Sequence, residues 1–161
     1  MSEPDRRERA IELWQQAYAL HMRKELDEAI RLYQESLTLC PTAEAHTFLG
    51  WAYSFQGRLD EAIAECHKAI ALDPDFGNPY NDIGVYLIEQ GDLDGAVPWL
   101  EKAKGAARYE PRHFPCMNLG RIYLQRGRWQ EALRELEAAA RLAPNDPGAR
   151  KLLHEIRARF N

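Results

Sequence analysis

The chain has 161 residues, 45% apolar and 29% charged, a balance that excludes a disordered segment and allows one ordinary domain or a short array of repeats. A formal net charge of −4 and a pI near 5.8 argue against a general nucleic-acid binder. No apolar run approaches the roughly 18 residues of a membrane span, and the opening MSEPDRRERA lacks the apolar stretch of a signal peptide, so a cytoplasmic protein without a membrane partner is expected.

The charge is unevenly placed. Up to Gly120 there are 12 basic and 20 acidic residues; from Arg121 onward there are 9 and 5. The basic end reads either as a solvated helical face or as a surface that steers an acidic partner, with Arg121, Arg126 and Arg128 foremost. Cys40, Cys66 and Cys116 are odd in number, far apart and without CxxC spacing, which predicts reduced thiols.

Residues 1–9 read as a polar lead-in, and a repeating pattern follows. Ala29, Ala62, Ala96 and Ala132 stand 33, 34 and 36 residues apart, each in a Glu-Ala-Ile-like tripeptide. Each is preceded by Leu26, Leu59, Leu93 or Trp129 and followed one turn later by Tyr33, Cys66, Leu100 or Leu136. Ser36, Ala69, Ala103 and Ala139 then return the pattern to a small residue. Spacings of three and four place these residues on one stripe of a helix, where small side chains admit a close neighbour.

A first helix precedes each of these second helices. Its stripe is His46, Leu49, Gly50 and Tyr53 in the second repeat, Tyr80, Ile83, Gly84 and Leu87 in the third, and Cys116, Leu119, Gly120 and Tyr123 in the fourth. Glycine inside a helix costs about 1 kcal/mol relative to alanine. Its return at the repeat period therefore predicts close helix contact. Gly57, Gly91 and Gly127 are expected to turn the chain between paired helices, and Pro41, Pro74 and Pro144 to end second helices. The first repeat has Lys24 in place of the turn glycine.

With LG-x2-Y at Leu49–Tyr53 and again at Leu119–Tyr123, followed by the spaced alanine and proline, the chain resembles the tetratricopeptide repeat family over about Ala10 to Pro144. The resemblance implies an all-α fold, a right-handed TPR superhelix (α-solenoid) of four helix-turn-helix repeats, at about 10–42, 43–76, 77–112 and 113–146. Residues 147–161, PGARKLLHEIRARFN, read as a capping helix that covers the last repeat with Leu152, Leu153 and Ile156.

The third repeat is irregular. Gly95, Pro98 and Gly105 lie in its second helix, where Pro98 predicts a kink, and Arg108 stands where the proline is expected. Its long connection reads as a local irregularity, or else as a hinge or extra contact surface at Tyr109, Arg112 and His113. The run NDIGVYLIEQGDLDGAVPWLEKAKGAARYEP is also similar to a repeat of type IV pilus pilotins, although no lipobox cysteine is present.

No phosphate-binding, zinc-protease, nucleophile-elbow or dinucleotide motif is found. The Cys66-His67 and His113-x2-Cys116 neighbours are too few for a structural metal. The expectation is a non-enzyme without cofactor or metal. In arrays of the family that the chain resembles, first helices line a concave groove where peptides dock. That implies a partner-binding surface of Trp14, Tyr18, Phe48, Trp51, Phe55, Asn81, Val85, Ile88, Phe114, Met117, Asn118, Arg121 and Leu124.

Trp14, Tyr18, Trp51 and Phe55 are expected as an aromatic wall, with Asn81, Asn118 and Arg121 supplying hydrogen bonds. The alternative for Phe48 and Trp51 is packing between repeats. A clamp for C-terminal carboxylates is disfavoured, since Trp14, Tyr18, Thr47 and Trp51 occupy the places of its lysine and asparagine. The expected function is a scaffold for a peptide or protein segment of apolar or aromatic character. A self-associating structural protein, an assembly factor resembling a pilotin, and a subunit or fragment of a larger enzyme stand as rivals. A monomer is expected, with a homo-oligomer left open.

Overall fold

The computed structural model describes residues 1–160, and among them nine α-helices follow one another. They are α1 (Glu3–Met22), α2 (Leu26–Leu39), α3 (Ala43–Phe55), α4 (Leu59–Leu72), α5 (Asn78–Glu89), α6 (Leu93–Gly105), α7 (His113–Gln125), α8 (Trp129–Leu142) and α9 (Pro147–Ala158). Asn161, at the end of the expected capping segment, lies outside the described residues.

Residues 3–9 are helical as well as polar. Ser2 and Asp5 form a reciprocal capping box and Pro4 sits in the first turn, so α1 starts before its apolar stripe does. Thr42, Asp92 and Asp146 cap α3, α6 and α9 by accepting a backbone N–H.

Helices pair as α1–α2, α3–α4, α5–α6 and α7–α8, and each second helix packs against the next first helix. The first helices also meet one another, α1 with α3, α3 with α5 and α5 with α7, which sets them on the inner side of the stack. Ala29, Ala62, Ala96 and Ala132 have no exposed surface, and neither do Tyr33, Cys66, Leu100 and Leu136. The helical glycines that recur at the repeat period sit where a side chain would crowd the facing helix. A Cβ on Gly84 would stand 2.5 Å from Leu100, one on Gly120 2.7 Å from Leu136, and one on Gly50 2.9 Å from the Ala62 carbonyl oxygen.

Successive repeats are also tied by a recurring polar rung. The residue that ends each inner helix reaches an aspartate in the first turn of the preceding outer helix. Gln56 donates to Asp27 and Gln90 to Asp60, both at 2.8 Å, and Arg126 pairs with Asp94 at 2.8 Å.

Gly57, Gly91 and Gly127 have φ of 75°, 84° and 68°, and Lys24 takes the same left-handed backbone at 64°. A side chain in this region costs roughly 1–2 kcal/mol. Nothing lies within 4 Å of a Cβ built on Gly57, so strain alone decides the outcome there. Gly57→Ala is expected to lower stability by about 1 kcal/mol, read as a lower urea midpoint with an unchanged slope. An unchanged midpoint would refute it.

The third repeat keeps its helix. α6 runs unbroken through Pro98, capped by the Asp92 carboxylate on the Gly95 N–H at 2.9 Å. The connection after it is built in. Arg108 donates its N–H to the Asp75 carbonyl and accepts from Gly77, both at 2.9 Å, forming an isolated parallel bridge with Phe76. Its guanidinium lies over the Phe76 ring and pairs with Glu44 and Asp73, so an arginine holds the place where proline was expected. Arg112 caps the end of α6 through the Lys104 and Ala107 carbonyls, where a cation also complements the helix dipole.

α9 packs on the fourth pair. Ala149, Leu153 and Ile156 are buried against α7 and α8, as a further first helix would be, and Leu152 is half-buried beside them.

Candidate functional site

On the inner face, α1 and α3 bring five aromatic rings together. Trp14 and Tyr18, one turn apart, stack with centroids 5.9 Å apart. Phe48 meets them edge-on at 5.1 and 5.6 Å, Trp51 follows Phe48 at 6.0 Å, and Phe55 follows Trp51 at 5.3 Å. Tyr18 is 38% and Phe55 43% exposed; Trp14, Phe48 and Trp51 are half-buried. Trp14 and Phe48 pack by one side on the core around Tyr33, so packing and surface are two sides of the same rings.

Behind this row lies His21, fully buried, with its ring 4.5 Å from Trp51 and 5.1 Å from Phe55. Nδ1 is 3.2 Å from the Tyr33 hydroxyl and Nε2 has no partner among the described residues. Burial, with Lys24 nearby, pushes the imidazole down to about 4.

Phe48 and Trp51 lead on into a pocket of about 240 Å³ between α3, α5 and α7. Its walls include Phe114 from α7, Asn78, Asn81 and Asp82 from α5, and Phe76, Tyr109 and Pro111 from the connections flanking the third repeat. The Arg108–Phe76 bridge explains how loop residues can form a wall. It presses Tyr109 against Gly77, where a Cβ would stand 2.5 Å from the tyrosine ring.

Asp82 is half-buried, and among the described residues no lysine, arginine or histidine pairs with it. Burial pushes its carboxyl up to about 7, with the Asn81 amide acting the other way. Nearby Cys66, Tyr86 and Tyr109 are also pushed upward by burial, so they are neutral at neutral pH and offer it no charge.

Polar residues continue the inner face. Asn118 donates to Asn81 at 3.1 Å, and Arg121 donates to Asn118 at 3.2 Å. Of the basic residues expected to steer an acidic partner, Arg126 is engaged by Asp94 and Arg128 by Glu131; Arg121 remains exposed.

Five of the expected groove residues are also drawn into packing or internal hydrogen bonds. Met117 is 5% exposed and sits in a cluster with Ala139 and Ala149, because α9 covers the part of α7 that a following repeat would cover. Leu124 packs beside Leu153 and Ile156 for the same reason. Val85 and Ile88 are half-buried against the clusters on either side of α5. Asn81 is only 7% exposed, and its carbonyl oxygen is engaged by Asn118 rather than free for a peptide. Phe114, 43% exposed, lines the same pocket as Phe48 and Trp51.

Tyr109, Arg112 and His113, considered as an extra surface, divide. Tyr109 is a buried pocket wall, Arg112 is a helix cap, and His113 is half-buried. Phe76, Pro111 and Asp82 were not anticipated. The signal for Asp82 was legible: it lies four residues from Asn78 on α5, so both share a face, and it is a carboxylate beyond the first turn, where no helix dipole needs it.

Paired helices stacked in series, with an inner face carrying side chains for contact, define a helical-repeat scaffold. Family profiles described as tetratricopeptide repeat match residues 87–156 and 43–76. A TPR repeat-containing protein of Pseudomonas aeruginosa is 34% identical over 110 residues, 65% of this chain and 42% of that protein. The chain belongs to the tetratricopeptide repeat family. It spans less than half the length of the curated relatives it matches.

Among solved structures, Pseudomonas aeruginosa pilF is similar with a TM-score of 0.88 and 24% identity, over 97% of this chain and 71% of that one. PilW, described as a widely conserved type IV pilus biogenesis factor, is similar with a TM-score of 0.82 and 18% identity, over 92% of this chain and 69% of that one. At these identities the likeness is one of fold. Among the described residues no helix is long and apolar enough to cross a membrane.

Proposed function

We propose that this protein is a non-catalytic scaffold that binds a peptide or protein segment of apolar and aromatic character along the inner face of its first helices. The observation that carries the reading is the continuous row of rings from Trp14 through Tyr18, Phe48 and Trp51 to Phe55, which opens at Phe48 and Trp51 into a pocket. One side of the row is enough for the core, and the other is open at Tyr18 and Phe55. Aromatic rings offer large contact area with few rotatable bonds, which is why they dominate binding hot spots, at about 2 kcal/mol or more each when truncated.

The test uses the protein that co-purifies with this chain from its native host. Tyr18→Ala and Phe55→Ala remove exposed rings and should leave helicity and cooperative unfolding intact. Each should weaken binding of that partner roughly thirtyfold. If both variants bind it as the parent does, the aromatic row is not the docking surface.

Self-association is a second reading, favoured by Ile11 and Met22, 52% and 43% exposed on α1 close to the same rings. A sedimentation coefficient that remains that of a monomer up to tens of micromolar would dismiss it.

A further inference from the structure

The pocket between α3, α5 and α7 has chemistry that an apolar peptide does not use. We propose that it receives a single cationic side chain, lysine or arginine, from the segment bound along the groove, with Asp82 as the counter-charge; this rests on the groove being the docking surface. Three observations point the same way. First, Asp82 lines the pocket, and no cation among the described residues neutralises its carboxylate. A carboxylate drawn out of water without a partner is unfavourable, and a cation from outside supplies the missing half of the pair.

Second, the remaining walls are mostly aromatic, from Phe48, Trp51, Phe76, Tyr109 and Phe114. Ring faces attract a cation and also pack against the methylene stem that carries it. The volume of about 240 Å³ suits one long side chain and no folded element.

Third, the pocket lies in the acidic part of the chain, where residues up to Gly120 include 20 acidic against 12 basic. The long-range field therefore draws a cation toward this half. The carboxyl, held near 7 by burial, is brought back to the ionised state when a cation enters.

The experiment selects a phage-displayed library of random seven-residue peptides on the immobilised full chain and, in parallel, on Asp82→Asn. The parent is expected to enrich apolar and aromatic peptides carrying lysine or arginine at one position. Asp82→Asn should keep the apolar preference and lose the basic one. A selected peptide, made synthetically, should bind Asp82→Asn at least about tenfold more weakly, and the same loss should follow when its basic residue is replaced by norleucine.

Phe114→Ala, at the exposed rim, gives a second variant and should weaken that peptide several-fold. Circular dichroism and thermal unfolding check that both variants are folded. Apolar peptides without a basic preference, acidic peptides, or a basic preference that survives in Asp82→Asn overturn the pocket assignment and leave the groove standing. If the parent enriches no peptide at all, both readings fall.

Discussion

Asp82→Asn makes the protein more stable at pH 8 by about 2 kcal/mol and leaves it nearly unchanged at pH 4. A carboxyl that titrates near 7 when folded, against an ordinary 3.8, holds more protons in the folded state throughout that interval. Stability from this group is therefore fully present below about pH 4 and is lost as pH rises toward 7, at roughly 1.4 kcal/mol per pH unit. The ceiling is about 4 kcal/mol. Asp82 is only half-buried and borders an open pocket, so water reaching the carboxylate lowers the expected value to about half of that. Asparagine keeps the shape and removes the charge. Urea denaturation of parent and variant at pH 4, 6 and 8 measures the difference, which cancels every other titrating group. A difference that does not grow with pH would show that the carboxylate is satisfied in the folded protein. A stabilising substitution that weakens binding is the mark of a residue retained for a ligand rather than for the fold.

The scaffold was legible in the sequence because its cause is periodic. The alanines at Ala29, Ala62, Ala96 and Ala132 and the glycines at Gly84 and Gly120 recur because the same helix contact recurs, and a repeat of 33 to 36 residues shows that without any structure. What breaks the period was less visible. Met117 stands at a groove position in its own helix and is buried only because α9 lies over it; no periodicity within α7 reports what the next helix covers. Pro98 and Gly95 lower the propensity of α6, yet packing of Ala96, Leu100 and Ala103 carries the helix through. The pocket was the least legible part. Its walls come from two connections joined by the Phe76–Arg108 bridge, a pairing between residues 32 apart in two loops of no repeating pattern. Asp82 had a local signal, an acidic residue on an inner helix face. Its meaning came only from the absence of a partner.

His21→Gln isolates the opposite pH response in the same inner face. The imidazole titrates near 4 when folded and near 6.5 ordinarily, so the unfolded chain binds the extra proton between those values. Its contribution is fully present above about pH 6.5 and declines as pH falls toward 4, by at most about 3 kcal/mol. Burial is the main cause and Lys24 adds to it, while the Trp51 and Phe55 faces attract the charged ring and bring the loss below that ceiling. Glutamine cannot titrate and can still reach the Tyr33 hydroxyl that His21 faces. The parent should exceed His21→Gln at pH 7, where the imidazole packs on Trp51, and the gap should close toward pH 4. Ring-proton shifts followed by NMR give the direct measure: His21 stays neutral to well below pH 5. If its shifts move with a midpoint near 6.5, the ring is reached by water, and the aromatic row is looser than its contacts imply. The two substitutions act from first helices on either side of α3, with opposite sign. Near neutral pH the His21 contribution is complete while the Asp82 penalty is approaching its full size, so a cation entering the pocket relieves the one of the two that still opposes folding under the conditions where it binds.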